Sequence, residues 1–150
     1  MITVVALHSV FVIRPIFYIN FTLLYILLGL NYALLLVIII SYIQITTFDP
    51  VDTFILNPEQ CSQNKKNSLR NSRYCHLCRS LVHKKSYHCK RCNRCTQDFD
   101  HHCLYLNNCI GARNYEVFMR LLLSFLFFLI IVIGQCIWVF VLSFEKEKVN

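Results

Sequence analysis

Residues 121–144 form a run of 24 positions without one charged side chain, and few soluble folds of this size can dispose of such a run. As a helix rising 1.5 Å per residue it would reach about 36 Å, enough to cross a hydrocarbon core roughly 30 Å thick. Phe, Ile, Val and Trp fall on every face instead of in one stripe, so the buried helix of a soluble core is a poor account of it. A second uncharged stretch, residues 15–48, is 34 positions long: too long for one upright span and too short for two with a turn between them. A span at about 21–45 is the reading it supports. Residues 1–13 are apolar as well, but counting them as half of an earlier span would place Arg14 near mid-membrane, at about 2.5–3.5 kcal/mol. The first twenty residues are therefore read as a span remnant, a re-entrant piece or an interfacial anchor.

The polar part of the chain lies between these runs. With 56% hydrophobic and 15% charged residues in 150 positions, surface-to-volume arithmetic disfavours a purely soluble globule. The net charge of +7 is concentrated: eleven of the fifteen Lys and Arg fall between Cys61 and Glu116, opposed there by Asp98, Asp100 and Glu116. Twelve lie between the two spans when Arg120 is counted, against Arg14, Lys146 and Lys148 outside them. Basic loops stay on the cytosolic side, so the middle segment is expected in the cytosol of a multi-pass integral membrane protein. The chain has three Gly and three Pro, and no repeated or low-complexity segment is visible in it.

Seven of the nine cysteines fall within 35 residues, in the order Cys75, Cys78, Cys89, Cys92, Cys95, Cys103, Cys109, interleaved with His88, His101 and His102. A reducing compartment makes these metal ligands or catalytic thiols in preference to disulfides. A Cys-x2-Cys turn aims two sulfurs at one point about 2.3 Å from each, and a closed zinc site takes four such donors in a tetrahedron. Overlapping pairs of this kind occur at Cys75/Cys78, Cys89/Cys92 and Cys92/Cys95. Two zinc ions need eight donors, and these seven Cys with three His offer ten. Two donors are left over. The segment is too short and polar to build an apolar core, so the metals are expected to supply its folding energy.

The spacing alone is compatible with a purely structural double zinc module. The run Asp100-His101-His102-Cys103 tilts the reading toward chemistry, because a carboxylate, two imidazoles and a thiol on successive residues are the parts of an activated nucleophile. A free thiol of pKa about 8.5 is only slightly ionised at neutral pH, and lowering it by about 1.5–2 units would make the thiolate a major species. Zinc is not the source of that field, since a Cys3His site is formally anionic.

The segment 75–118, with Asn107-Asn108-Cys109, Gly111, Arg113-Asn114-Tyr115 and Phe118, closely resembles the cysteine-rich domain of DHHC-type protein S-acyltransferases (palmitoyltransferases). Asp49-Pro50 resembles that family's Asp-Pro-Gly element, with Val51 and Asp52 following instead of Gly. The resemblance implies one zinc held by Cys75, Cys78, His88 and Cys95, and a second held by Cys89, Cys92, His102 and Cys109. It implies Cys103 as nucleophile, His101 as its general base and Asp100 as the residue that orients His101. The implied reaction is ping-pong: the thiolate takes the acyl group of palmitoyl-CoA or another long-chain acyl-CoA, and passes it to membrane-proximal cysteines of substrate proteins. A C16 chain gains about 0.8 kcal/mol per buried CH2, so substrate and site meet at the bilayer surface.

The expected architecture is a mainly α membrane protein in which transmembrane helices flank a small cytosolic cysteine-rich domain with two interleaved Cys3His zinc sites. Its parts are an N-terminal membrane region (1–48), a cytosolic linker (49–74), the zinc domain (75–118), a transmembrane helix (119–144) and a short tail (145–150). The endoplasmic reticulum, Golgi or plasma membrane is the expected location. Nucleic acid is not an expected partner, given the lipid spans and the lack of a stacking pattern. Two departures from the family pattern stand out. Leu104-Tyr105 replaces Pro-Trp, and neither a further span nor a Thr-Thr-x-Glu element follows within the 150 residues. The chain is accordingly expected to be truncated at its C-terminus and within its first span, and a catalytically inactive zinc-stabilised adaptor is the alternative function. Cys61, His76 and His83 are read as surface residues, Cys136 as lipid-facing or packed, and Lys84, Lys85, Lys90, Arg91 and Arg94 as basic side chains able to face lipid headgroups or the phosphates of CoA.

Overall fold

The computed structural model describes residues 21–59 and 71–149; the expectations for residues 1–20 and for Cys61 lie outside them. Two long helices bracket a set of short hairpins. Helix α1 spans Phe21–Thr47, and its end is written in the sequence: Pro50 disfavours helical geometry at Asp49, so Phe48 makes the last α-type bond, its N–H donating to the Gln44 carbonyl at 3.0 Å. A single turn, α2 (Thr53–Leu56), follows, with Asp52 as its N-cap. Three two-stranded antiparallel hairpins come next: β1 (Ser72–Cys75) with β2 (Ser80–His83), β3 (Tyr87–Cys89) with β4 (Arg94–Thr96), and β5 (His101–Cys103) with β6 (Asn108–Ile110). Helix α3 spans Tyr115–Val149.

The described residues divide into two compact units, 21–39 with 122–149, and 40–59 with 71–121. The first is helical and apolar. Among the described residues the stretches of membrane-crossing length are Tyr25–Thr47 and Tyr115–Leu142, and only 17% and 11% of their most apolar windows are buried. A core helix of a soluble protein would be mostly covered; these present Leu, Ile and Phe outward, as a lipid-facing helix does. The chain is an integral membrane protein whose two apolar helices flank a Cys/His-rich region. Within this unit Asn31 and Gln135 are buried, and Asn31 Nδ2 donates to the Leu27 carbonyl at 2.7 Å and to Gln135 Oε1 at 3.3 Å. In hydrocarbon a side-chain amide needs such a partner.

In the second unit the three hairpins are copies of one another, which corrects the reading that no repeat is present. The cross-strand pairs Tyr74↔Leu81, His88↔Cys95 and His102↔Cys109 recur at a spacing of fourteen residues, as do Cys75↔Ser80, Cys89↔Arg94 and Cys103↔Asn108. Each hairpin turns through four residues, and the last residue of each turn is left-handed: Arg79 (φ 52°), Asn93 (φ 50°) and Asn107 (φ 48°). Asn tolerates this region better than most residues, and Arg79 accepts the strain as the turn requires. Gly111 closes the third hairpin against the second, where a Cβ would come within 2.5 Å of the Gln97 carbonyl oxygen.

Residues 50–52 pack into this unit as well. Pro50, Val51 and Asp52 are buried, the Asp52 N–H donates to the Cys95 carbonyl at 2.9 Å, and Val51 bridges Thr96. The Asp52 carboxylate receives the Phe54 N–H at 2.8 Å, the His83 N–H at 2.9 Å and the Ser86 hydroxyl, while His83 Nδ1 lies 3.0 Å from Oδ1. His83, expected at the surface, is thus held from one side by Asp52 and stacked on Phe54 at 3.8 Å on the other. Burial pushes the Asp52 carboxyl up, but the four hydrogen bonds together outweigh it and hold the group below its ordinary range.

Candidate metal centres and candidate active site

Strand alternation explains how the hairpins build two clusters. Neighbouring residues on a strand face opposite ways, and directly paired residues share a face. His88 and Cys95 are such a pair, so both reach back to the turn of the first hairpin, where Cys75 and Cys78 sit. Cys89 is next to His88 and faces the other way. It joins Cys92, His102 and Cys109, of which the last two are the equivalent pair of the third hairpin. Each cluster is one turn plus the cross-strand pair of the following hairpin, and each donor of the second set lies fourteen residues after its counterpart in the first. The first hairpin has no predecessor to serve and carries Tyr74 and Leu81 at the pair positions.

The four donor atoms of each cluster lie within 4.8 Å of one another. In the first, His88 Nδ1 is 3.2 Å from Cys78 Sγ and 3.9 Å from the sulfurs of Cys75 and Cys95, and Cys78 and Cys95 are 3.6 Å apart. In the second, His102 Nδ1 is 3.3 Å from Cys92 and 3.7 Å from Cys89 and Cys109, with Cys92 and Cys109 at 3.3 Å. Bond lengths of about 2.3 Å to sulfur and 2.05 Å to nitrogen give a tetrahedron with edges of about 3.8 Å (S···S) and 3.5 Å (S···N). The donors fit that tetrahedron and are far too separated for disulfides, which need about 2.05 Å. Cys95, paired with the first cluster, is not a partner of Cys92, so the overlapping Cys92/Cys95 turn is not used.

The thiols are unequal. For Cys95, burial and the sulfurs of Cys75 and Cys78 push the thiol far up; for Cys109, burial and the sulfurs of Cys92 and Cys89 do the same. Burial also raises Cys75 and Cys89. Backbone N–H groups of Cys78 and Leu77 for the former, and of Cys92 and Arg91 for the latter, outweigh it together with neighbouring thiols, and both end below the ordinary thiol value. Four such donors in one spot call for a cation: two Cys3His clusters able to coordinate a metal ion are present.

The same alternation governs β5. His102 reaches its cluster, while His101 and Cys103 lie on the opposite face. His101 Nδ1 is 3.4 Å from Asp100 Oδ2, both side chains are about half-exposed, and the ring meets Phe118 edge-on at 5.4 Å. Cys103 is buried with Ile45, Leu106 and Ile110, against Val117, Phe118 and Leu121. Phe118 therefore touches the surroundings of both. The structure brings Asp100 to His101, and it leaves the Cys103 side chain on the His101 face with no hydrogen-bond partner among the described residues.

A model of the DHHC palmitoyltransferase family matches residues 68–150, more than half of the chain. The chain belongs to the DHHC palmitoyltransferase family. A comparison with curated proteins finds no match.

The DHHC region rests on residues that spacing arithmetic did not single out. Asn108 Nδ2 donates to the carbonyls of Ile45 and Phe48 at 2.8 Å each, satisfying orphan acceptors at the end of α1. Asn114 accepts from the Gly111 N–H at 2.9 Å and donates to the Cys109 carbonyl at 2.8 Å. Arg113 donates to the Val51 carbonyl at 2.8 Å and stacks over Phe48. Arg94 pairs with Asp49 at 2.7 Å in a solvent-exposed contact. The fourteen-residue period was the signal available for the hairpins; nothing local announces Asp52, whose partners lie 31 and 34 positions away.

Proposed function

We propose that the chain transfers a long-chain acyl group, such as palmitoyl, from acyl-CoA through a Cys103 thioester to cysteines of membrane-associated proteins. The observation that carries this reading is the division of β5: His102 belongs to a metal cluster, while Cys103 and His101 are left free of one on the other face. Cys75, Cys78, His88 and Cys95 would hold one zinc ion, and Cys89, Cys92, His102 and Cys109 the other; bound there, zinc supplies folding energy and fixes the hairpins.

His101 accepts the Cys103 proton, with Asp100 fixing the ring through Nδ1 so that Nε2 is the working nitrogen. The Cys103 sulfur then bonds to the acyl carbonyl carbon, and the bond to the CoA sulfur breaks with return of the proton to it. The apolar wall of Ile45, Val117, Phe118 and Leu121 keeps water from the thioester and suits the first methylenes of the chain. The second half repeats these steps with the substrate protein's thiol. The DHHC region is cytosolic in this reading, in an endomembrane or the plasma membrane of a multi-pass protein.

The purified full chain in detergent, given labelled palmitoyl-CoA, should acquire hydroxylamine-sensitive label, and Cys103→Ser should abolish it while keeping two zinc ions per chain. Equal label on Cys103→Ser would leave the chain as a zinc-stabilised adaptor.

A further inference from the structure

The fourteen-residue period does not stop at the two metal turns. Cys75 and Cys89 are the first cysteines of their turns, and Cys103 is the residue fourteen positions after Cys89. It ends β5 as Cys75 ends β1 and Cys89 ends β3, and it pairs across the hairpin with Asn108 as they pair with Ser80 and Arg94. The four-residue turn that follows it has the same form, and its last residue, Asn107, is left-handed like Arg79 and Asn93. At the position of the second cysteine, Cys78 or Cys92, stands Leu106, buried beside Cys103. The third hairpin is a metal turn with one sulfur kept and the other replaced by a hydrocarbon.

In the two metal turns, the backbone N–H groups two and three residues after the first cysteine help hold its thiol below the ordinary value: those of Leu77 and Cys78 for Cys75, and of Arg91 and Cys92 for Cys89. A metal thiolate is anionic, and two N–H dipoles converging on it are what the turn exists to provide. The equivalents in the third hairpin are Tyr105 and Leu106. We propose that the Tyr105 and Leu106 backbone N–H groups are the anion-holding donors of the acyl-transfer site, a metal turn redirected to stabilise negative charge at Cys103. The proposal rests on the acyl-transfer reading above and names the groups it lacks.

In the acylation step the Cys103 proton moves to His101, and a bond forms from Sγ to the acyl carbonyl carbon. The C=O π pair moves onto oxygen, and the N–H pair meets that charge. Return of the pair breaks the bond to the CoA sulfur, which leaves with the proton from His101. The charge stays within reach of one pair of donors throughout, so no reorganisation is required as it passes from sulfur to oxygen. Leu106 matters by what it is not: a second cysteine there would offer a metal the half-site that the nucleophile must avoid.

Two measurements on the full-length chain test this. In the first, Leu106→Cys should bind a third cadmium ion per chain, beyond the two taken by the clusters, with added thiolate-to-metal absorbance; Leu104→Cys should not. Absence of a third ion on Leu106→Cys, or its equal binding by Leu104→Cys, overturns the equivalence of the turns. In the second, the amide N–H of Leu106 or Tyr105 is replaced by an ester oxygen through nonsense suppression with the matching α-hydroxy acid. The rate of Cys103 acylation should fall about 100-fold or more at either position, and less than about 3-fold at Leu104, with two zinc ions retained. Wild-type rates in the Leu106 and Tyr105 esters, with normal wild-type labelling, would overturn this proposal and leave the acyl-transfer reading intact. No label on the wild type would remove both.

Discussion

The membrane helices and the hairpin region face one requirement, that the buried backbone be paired and the interior filled, and meet it by opposite means. The helices satisfy their backbone internally and can present hydrocarbon on nearly every face, so their few polar side chains, such as Asn31 and Gln135, are additions to a structure that stands without them. The hairpins have three or four residues per strand, and five of their buried residues are cysteines. Without a cation, the two Cys3His clusters are crowded thiols. Stability in one region is spread over many small contacts, and in the other a metal ion in each cluster would concentrate it at two points.

The largest expected effect tests that concentration. Cys89→Ser should lose metal and unfold the hairpins, because structural zinc contributes on the order of 10 kcal/mol, while helical circular dichroism should persist. Parallel loss of helix would break the contrast. Acidification provides the next test. Burial and neighbouring sulfurs raise Cys95 and Cys109, so metal must displace protons there and its affinity falls with pH. Asp52, whose carboxyl is lowered, contributes stability that is complete above its unfolded pKa of about 3.9 and is lost only as pH falls through the still lower folded value. Zinc release and loss of hairpin structure should therefore coincide above pH ~4, before Asp52 titrates. A structural transition with both ions retained in that range would count against it.

Smaller effects sharpen the comparison. Asp52→Ala leaves the Ser86 hydroxyl and the His83 and Phe54 N–H groups without their acceptor, and should cost about 3 kcal/mol in metal-loaded unfolding. In the bilayer the corresponding loss is slight: a double-mutant cycle of Asn31→Leu and Gln135→Leu should give a coupling of about 0.6 kcal/mol by unfolding in bicelles. A coupling of several kcal/mol would mean that the helices too depend on a single polar contact.

What could be read ahead of the structure followed the same division. Charge-free runs announce membrane helices because lipid penalises every charge, and Cys-x2-Cys turns announce metal because few other arrangements need two sulfurs three residues apart. The assembly of the hairpins was harder to see. The period is carried by only a few positions, and the first copy has Tyr74 and Leu81 where the others have His and Cys. The Asp52 anchor and the Asn108 contacts to Ile45 and Phe48 join residues tens of positions apart, so no local pattern could announce them. His83 looked like a surface histidine because its partner is 31 residues upstream.

The hairpin β3–β4 gives His88 and Cys95 to one cluster and Cys89 and Cys92 to the other. Whichever ion arrives first pre-shapes half the donors of its neighbour, so the second should bind more tightly than the first. Under scarcity, a population of these chains would divide into fully loaded and empty molecules instead of sharing the shortage evenly, and the amount of ordered hairpin region would follow the available metal more steeply than one-to-one.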